Sequence, residues 1–95
     1  MKLSTRTRND ILAKLRKDLR GKKETSHLIA FEYYGYQVGA KMFGPHAQRI
    51  RIESPKGDYT ISSMPYSVTT NKAAVEYFGE VLDYIEMLLE SNLEN

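Results

Sequence analysis

The sequence of 95 residues contains no cysteine. This absence excludes disulfide scaffolds, thiolate zinc sites, iron–sulfur clusters and cysteine nucleophiles. No stretch approaches the roughly 20 apolar residues that span a bilayer, and residues 1–6 lack the apolar segment of a signal peptide. We therefore expect a cytoplasmic protein that makes no membrane contact.

The sequence is also poor in catalytic groups. Only His27 and His46 could act as a base near neutral pH, and neither has a recognisable partner spacing. Phosphate-binding and nucleophile-elbow patterns are absent. Glu24 and His27 are three residues apart, but they straddle a loop and a strand start and so share no face. The sequence predicts no catalytic residue, no metal site and no cofactor, and we expect that the protein is not an enzyme.

What the sequence does contain is a strong separation of charge. Hydrophobic residues make up 41% and charged residues 27%, which is typical of a folded chain, and the length predicts one small domain over 1–95. Residues 1–23 carry nine basic and two acidic side chains, whereas residues 71–95 carry one and six. This asymmetry indicates either a surface for an acidic partner or two helices that attract each other.

The basic end has the pattern of a helix. Thr7 and Asp10 have the spacing of a capping box, and Gly21 would end the helix, so we expect it to run from about Thr7 to Arg20. One stripe is apolar and predicts a docked face: Ile11, Leu12, Leu15 and Leu19. The opposite side forms what we call the basic ridge: Arg6, Lys14, Arg16, Lys17 and Arg20. A solvated helix face is the alternative interpretation of this ridge.

Four strands are predicted in the middle of the chain from β-branched and aromatic residues and from turn signals. Gly35 is expected to mark a turn and Gly39 a bulge. The expected strands are His27–Tyr34, Gln37–Phe43, Gln48–Glu53 and Asp58–Ser63.

The last two strands are predicted to form a hairpin. Ser54-Pro55-Lys56-Gly57 fits a type I or type II turn because Pro55 occupies its second position. Period-two alternation separates the two faces of each strand. We expect Ile50, Ile52, Tyr59 and Ile61 to face inward, and Arg49, Arg51, Thr60 and Ser62 to face outward.

A long helix is predicted from caps at Thr69–Asn71 to about Ser91. Its apolar arc covers half the helical wheel, so it should meet the N-terminal helix or a second copy of the chain as well as the sheet. Gly79 would allow another backbone to approach. We therefore predict an α+β fold with an N-terminal helix, an antiparallel sheet of three or four strands, and a long C-terminal helix packed on one sheet face. The expected core includes Leu15, Ile52, Ile61, Phe78, Val81 and Ile85.

Aromatic residues cluster at the end of the first strand. Tyr33, Tyr34 and Tyr36 cannot all point to one face if the strand continues through them, so we expect exposed aromatic surface at Tyr34 and Tyr36. The first strand is apolar on both faces, and this would leave an apolar strip on a sheet that helices cover on one side only. A loop or terminus folded over the strip is the alternative.

One stretch resembles a known family. Gly44-Pro45-His46, the basic strand Arg49–Glu53, the hairpin and the helix from Asn71 are similar to the second half of a double-stranded-RNA-binding domain. In that family, lysines at the start of the last helix grip phosphates. Here only Lys72 is present, and Glu76, Glu80 and Asp83 follow, so this helix would repel a duplex.

The function expected from the sequence is non-catalytic, stoichiometric binding of a macromolecular partner, as in inhibitors, adaptors and mobile-element accessory proteins. A protein partner is expected first, and a homodimer is a further option. The alternative is nucleic-acid binding by the basic helix with Arg49 and Arg51. A ridge continuous with these two arginines would favour nucleic acid, and neutralisation by the last helix would oppose it. The predicted partner-binding residues are Arg6, Arg16, Lys17, Arg20, Arg49, Arg51, Tyr34 and Tyr36.

Overall fold

Two helices and four strands make up the part of the chain that the structure, a computed structural model, describes: residues 3–19, 27–42, 48–65 and 67–93. The strands form an antiparallel meander in the order β1-β2-β3-β4. The predicted α+β class, with a long C-terminal helix packed on one sheet face, is confirmed. None of the helices in these residues is long and apolar enough to cross a membrane. The elements are α1 (Thr5–Leu19), β1 (His27–Tyr33), β2 (Tyr36–Met42), β3 (Arg49–Glu53), β4 (Tyr59–Ser63) and α2 (Asn71–Leu93).

Helix α1 begins earlier than predicted because Ser4, and not Thr7, is its N-cap. The Thr7 amide donates to Ser4 Oγ at 3.3 Å, which is the bond that an N-cap side chain makes to the third helical residue. The Ser4 amide in turn donates to the Tyr34 hydroxyl at 2.8 Å. The start of α1 is thus fixed to the β1–β2 turn, which sequence spacing alone could not indicate. Gly21, the predicted stop, lies outside the described residues.

Helix α2 is capped as predicted and lies along the core. The Ala73 amide donates to Thr70 Oγ1 at 3.1 Å. Ala74, Phe78, Leu82 and Ile85 are fully buried, and Phe78 makes an edge contact with Phe31 of β1 at 5.9 Å between ring centroids. Both helices and strands β1 to β3 contribute to one hydrophobic cluster.

The β1–β2 connection is a two-residue turn, Tyr34-Gly35, with φ of 49° and 88°. Positive φ at both positions is the geometry of a type I′ hairpin turn. A β-carbon on Gly35 would lie 2.9 Å from Pro55 Cγ, so the close approach of the second hairpin also requires glycine. The predicted bulge at Gly39 is wrong, because Gly39 pairs in regular register with Ala30 and with Arg51.

The predicted facing of the second hairpin is confirmed for β3, where Ile50 and Ile52 face the core and Arg49 and Arg51 do not, but it is wrong for β4. Its loop, Ser54–Asp58, has five residues: the Gly57 amide donates to the Ser54 carbonyl at 2.9 Å, and the Ser54 amide to the Asp58 carbonyl at 2.7 Å. Gly57 takes a φ of 94°. Glu53 therefore pairs with Tyr59, which places Thr60 and Ser62 opposite Ile52 and Ile50. Tyr59 and Ile61 consequently lie on the same face as Arg49 and Arg51.

Most of the predicted core is confirmed. Leu15, Phe78, Val81 and Ile85 are buried, and Ile52 is half-buried against the cluster. Ile61 is the exception, since it is 57% exposed as a consequence of the hairpin register.

Phe78 and Ile61 differ in burial, and stability measurements can detect this difference. Phe78→Ala removes a fully buried ring and should lower the free energy of unfolding by about 3–5 kcal/mol. Ile61→Ala, which truncates an exposed side chain, should change it by about 0.5 kcal/mol or less. Urea denaturation of both variants tests this. Comparable losses of unfolding free energy in the two variants would contradict the register described above and support the one in which Ile61 is buried.

Candidate functional site: the open face of the sheet

The helices cover one face of the sheet, and no described residue covers the other. Cross-strand pairs share a face, so the register assigns every side chain to one side or the other. The uncovered side, which we call the open face, consists of Leu28, Ala30, Glu32, Gln37, Gly39, Lys41, Arg49, Arg51, Glu53, Tyr59, Ile61 and Ser63.

The open face exposes three large apolar side chains. Leu28 on β1 is 77% exposed, and Tyr59 and Ile61 on β4 are 58% and 57% exposed. The expectation that β1 is apolar on both faces and leaves an apolar strip uncovered agrees with this arrangement. Isolated exposed apolar residues are ordinary, but three on one sheet face form a candidate contact surface.

The charges of the open face are nearly balanced, with three basic and two acidic side chains. Arg51 donates to Glu53 Oε1 at 3.0 Å, and its guanidinium carbon lies 4.3 Å from the centre of the Tyr59 ring. Arg51 is therefore held flat against the sheet by an ion pair and a cation–π contact. Lys41 and Arg49 form no ion pair with a described carboxylate.

The two tyrosines predicted to contact a partner are engaged in the fold instead. Tyr36 is only 4% exposed. It lies directly opposite Tyr33 across the two-residue turn, so both rings point to the helix-covered side. Tyr34 is half-buried, packs on the Tyr33 ring and accepts the Ser4 bond. Tyr59 is the exposed aromatic residue of the open face, and the hairpin loop length is the signal that could have identified it.

The basic ridge and the two arginines of β3 are not brought together. Helix α1 packs beside α2 on the helix-covered side of the sheet, whereas Arg49 and Arg51 lie on the open face. Arg16 and Lys17 are exposed, and Arg6 lies 4.0 Å from Asp10 on its own helix. Arg20 lies outside the described residues. The sheet therefore separates the predicted partner-binding residues into two surfaces.

Helix α2 uses two carboxylates to hold a basic residue of α1 that is not part of the ridge. Arg8 contacts Asp83 at 2.7 Å and Glu86 at 3.4 Å, and it donates to the Gly79 carbonyl at 3.1 Å. Gly79 thus accommodates an arginine side chain and not the second backbone that we expected. Part of the charge separation in the sequence therefore joins the two helices.

Glu86 also accepts a hydrogen bond from the Tyr33 hydroxyl at 2.6 Å. Burial is the main cause that raises the pKa of Tyr33 well above its ordinary value of about 10, and the hydrogen bond and negative charge of Glu86 raise it further. The neutral phenol is the form that this contact requires. Tyr33, Glu86 and Arg8 therefore link β1, α2 and α1.

A concave surface lies under β4, on the other side of the sheet from the open face. Thr60 and Ser62 point to the helix-covered side, but no described helix reaches them and they stay exposed. A groove of about 380 Å³ results between the second hairpin and the C-terminal half of α2. Its walls include Ile52, Tyr84 and Leu88, with Lys56 and Asp58 at the hairpin end.

The described residues contain no group of three or more histidine or acidic side chains that could hold a metal ion. The side chains of His27 and His46, considered above as bases, lie outside the described residues. Comparisons of the chain with protein-family models, with curated proteins and with solved structures find no match.

The Tyr33 contact predicts a distinctive alkaline loss of stability. Because the folded pKa is raised, its contribution is complete below pH 10 and is lost as the pH rises from there towards the folded pKa. Tyr33→Phe should lower the free energy of unfolding by about 1–2 kcal/mol at pH 7. The difference between wild type and variant should shrink between pH 10 and pH 12.

Chemical denaturation at several pH values measures this difference. Tyr59→Phe is the matched control, since it removes an exposed hydroxyl and should change the free energy of unfolding at pH 7 by about 0.5 kcal/mol or less. A wild-type advantage over Tyr33→Phe that stays constant up to pH 12 would contradict the proposed link to phenol ionisation.

Proposed function

We propose that this chain is a non-catalytic binding protein that acts by occupying a protein partner in a stoichiometric complex, and that the open face is its contact surface. The observation that carries the proposal is the exposure of Leu28, Tyr59 and Ile61 on a sheet face that no described residue covers. Aromatic, apolar and arginine side chains are the residue types that contribute most to protein interfaces.

The charge of this face favours a protein over a nucleic acid. A phosphate backbone requires several cations that are free to contact it. On the open face Arg51 is engaged by Glu53 and Tyr59, and Glu32 adds a further negative charge, which leaves Lys41 and Arg49. Nearly balanced charges around exposed apolar groups match the composition of a protein surface that recognises another protein.

Strand geometry also suits such a role. The contact residues lie on regular strands with a continuous register, so their relative positions are fixed before binding. A rigid surface loses little conformational entropy when it binds. This favours a partner that is recognised by shape and that does not require the domain to rearrange.

A second candidate function is nucleic-acid binding by the basic ridge. One observation favours it: Arg16 and Lys17 are exposed and contact no carboxylate of the described residues. Each phosphate contact with duplex DNA would add about −0.9 to the slope of log affinity against log salt. Replacement of Arg16, Lys17 and Arg20 by alanine should leave folding intact and distinguishes this surface from the open face.

Affinity capture from native lysate, with and without nuclease, tests both candidates. We expect one stoichiometric protein to survive nuclease treatment with the wild type and with the Arg16, Lys17 and Arg20 triple variant. Ile61→Asp should abolish this capture, because it places a charge beside Tyr59 in the apolar part of the face on β4 and leaves the core untouched. Ile61→Ala provides the milder comparison.

The opposite pattern would reject the proposal. Capture that survives Ile61→Asp but is lost with the triple variant would assign binding to the basic ridge. Loss of all captured material after nuclease would further identify the partner as nucleic acid.

A further inference from the structure

Four of the five charges of the open face lie in two rows at opposite ends of its strands, and the fifth, Arg51, lies between them. The basic row contains Leu28, Lys41, Arg49 and Ser63, and the acidic row contains Glu32, Gln37, Glu53 and Tyr59. Four residues along each strand separate the rows, which is about 13 Å. Between them runs a centre row that contains Ala30, Gly39, Arg51 and Ile61.

We propose that a second copy of this chain occupies the open face when no other partner is bound, so that the partner must compete with self-association. This inference rests on the proposed function, because it concerns the regulation of that same surface. The two copies pack face to face about a two-fold axis that runs across the strands through the centre row. Each strand then lies over its own copy with its direction reversed.

Charge complementarity selects this axis. Reversal of the strands places the basic row over the acidic row, so Arg49 lies over the partner copy's Glu53. Lys41 lies one strand, about 4.8 Å, to the side of the partner copy's Glu32 and Glu53. Glu53 binds Arg51 through Oε1, and the described residues leave its second oxygen for this contact. A two-fold axis along the strands would instead place the basic rows over each other.

Side-chain size is complementary about the same axis. Tyr59, the largest residue of the face, lies over the small Ser63, and Ile61 lies over Ile61. The centre row contains Ala30 and Gly39, and a β-carbon on Gly39 would meet nothing within 4 Å. Arg51 of the same row lies over Arg51 of the partner copy, and its contacts with Glu53 and Tyr59 hold it flat against the sheet. With the small Ala30 and Gly39 beside it, the two sheets can approach to about the 10 Å that is usual for packed sheets.

The size of the face limits the strength of the dimer. Four strands of five residues cover about 19 by 17 Å. The twelve residues of the face are about half of the 20–30 residues that each partner contributes to a standard interface. The dimer should therefore be weak and should form only at high concentration. A weak dimer also allows another partner to displace the second copy from the open face.

Charge exchange between two variants tests the arrangement by sedimentation equilibrium. Arg49→Glu places an acidic residue over Glu53 of the other copy, and Glu53→Arg places a basic residue over Arg49, so each variant alone should self-associate at least about tenfold more weakly than the wild type. An equimolar mixture should recover association, because position 49 of each copy then meets an opposite charge at position 53 of the other. Lys14→Glu, which makes the same charge change as Arg49→Glu on exposed α1, should leave association unchanged.

Several outcomes would overturn the inference: a wild type that stays monomeric up to about 1 mM, single variants whose mixture does not recover, or an equal loss in Lys14→Glu. Recovery in the mixture also shows that both single variants are folded. The proposed function fails separately. A monomeric wild type whose protein capture is abolished by Ile61→Asp keeps the function and rejects the dimer. Charge-exchange recovery with capture unaffected by Ile61→Asp keeps the dimer and rejects the open face as the partner site.

Discussion

The conformation of the loop Ser54–Asp58 decides which side of the sheet each residue of β4 occupies. Its two backbone hydrogen bonds and the left-handed Gly57 make a five-residue connection that pairs Glu53 with Tyr59. A slip of one residue would exchange the two faces of β4 completely. Ile61 would then enter the core, Thr60 and Ser62 would move to the open face, and the groove beside α2 would be filled. Both concave and flat surfaces of the molecule therefore depend on one turn.

Helix α2 provides the second constraint, because it organises the helix layer through polar contacts as well as through its apolar face. Arg8 reaches the Gly79 carbonyl and two carboxylates, and Tyr33 shares one of those carboxylates. Two of the carboxylates of the C-terminal segment, Asp83 and Glu86, thus hold α1 in place through Arg8. Arg16 and Lys17 are exposed on α1, whereas Arg49 and Arg51 lie on the open face. The net charge of the chain therefore describes neither the basic ridge nor the open face.

Patterns with a fixed local period were predictable from the sequence. The helical spacing of Leu15, Leu19, Phe78 and Ile85 identified the buried faces, and β-branched and aromatic residues between turn signals identified all four strands. The relative register of β3 and β4 was not predictable from alternation, because each strand is self-consistent in either register. Only the turn geometry distinguishes them, and it depends on Gly57 adopting positive φ.

The remaining errors concern the N-cap of α1 and the position of the first turn. Ser4 and Thr7 both fit an N-cap, and the Tyr34 hydroxyl, thirty residues away in the chain, binds the one that is used. Tyr36 was expected at a surface because the predicted strands ended at Tyr34 and resumed at Gln37, which put Tyr36 in the turn. The turn is Tyr34-Gly35, so Tyr33 and Tyr36 pair and lie on one face. A turn also decides the exposure of Tyr59 and Ile61, because the loop Ser54–Asp58 sets the register of β4. The conformation of the loops, and not the pattern of the strands, therefore determines these positions.

The position of β4 at the edge of the sheet has a consequence for how the protein behaves in concentrated solution. No strand of the described residues lies beside its outer backbone amides and carbonyls, and Tyr59–Ser63 contains no charged residue, proline or bulge to block one. Natural proteins commonly protect such edges with lysine, proline or a twist. β1 is the other edge strand of the described sheet. A copy that adds to β4 would therefore leave an edge strand exposed, to which a further copy could add. Partial unfolding would therefore favour open-ended β-assembly, and a single lysine at Thr60 would oppose it while leaving every residue of the open face in place.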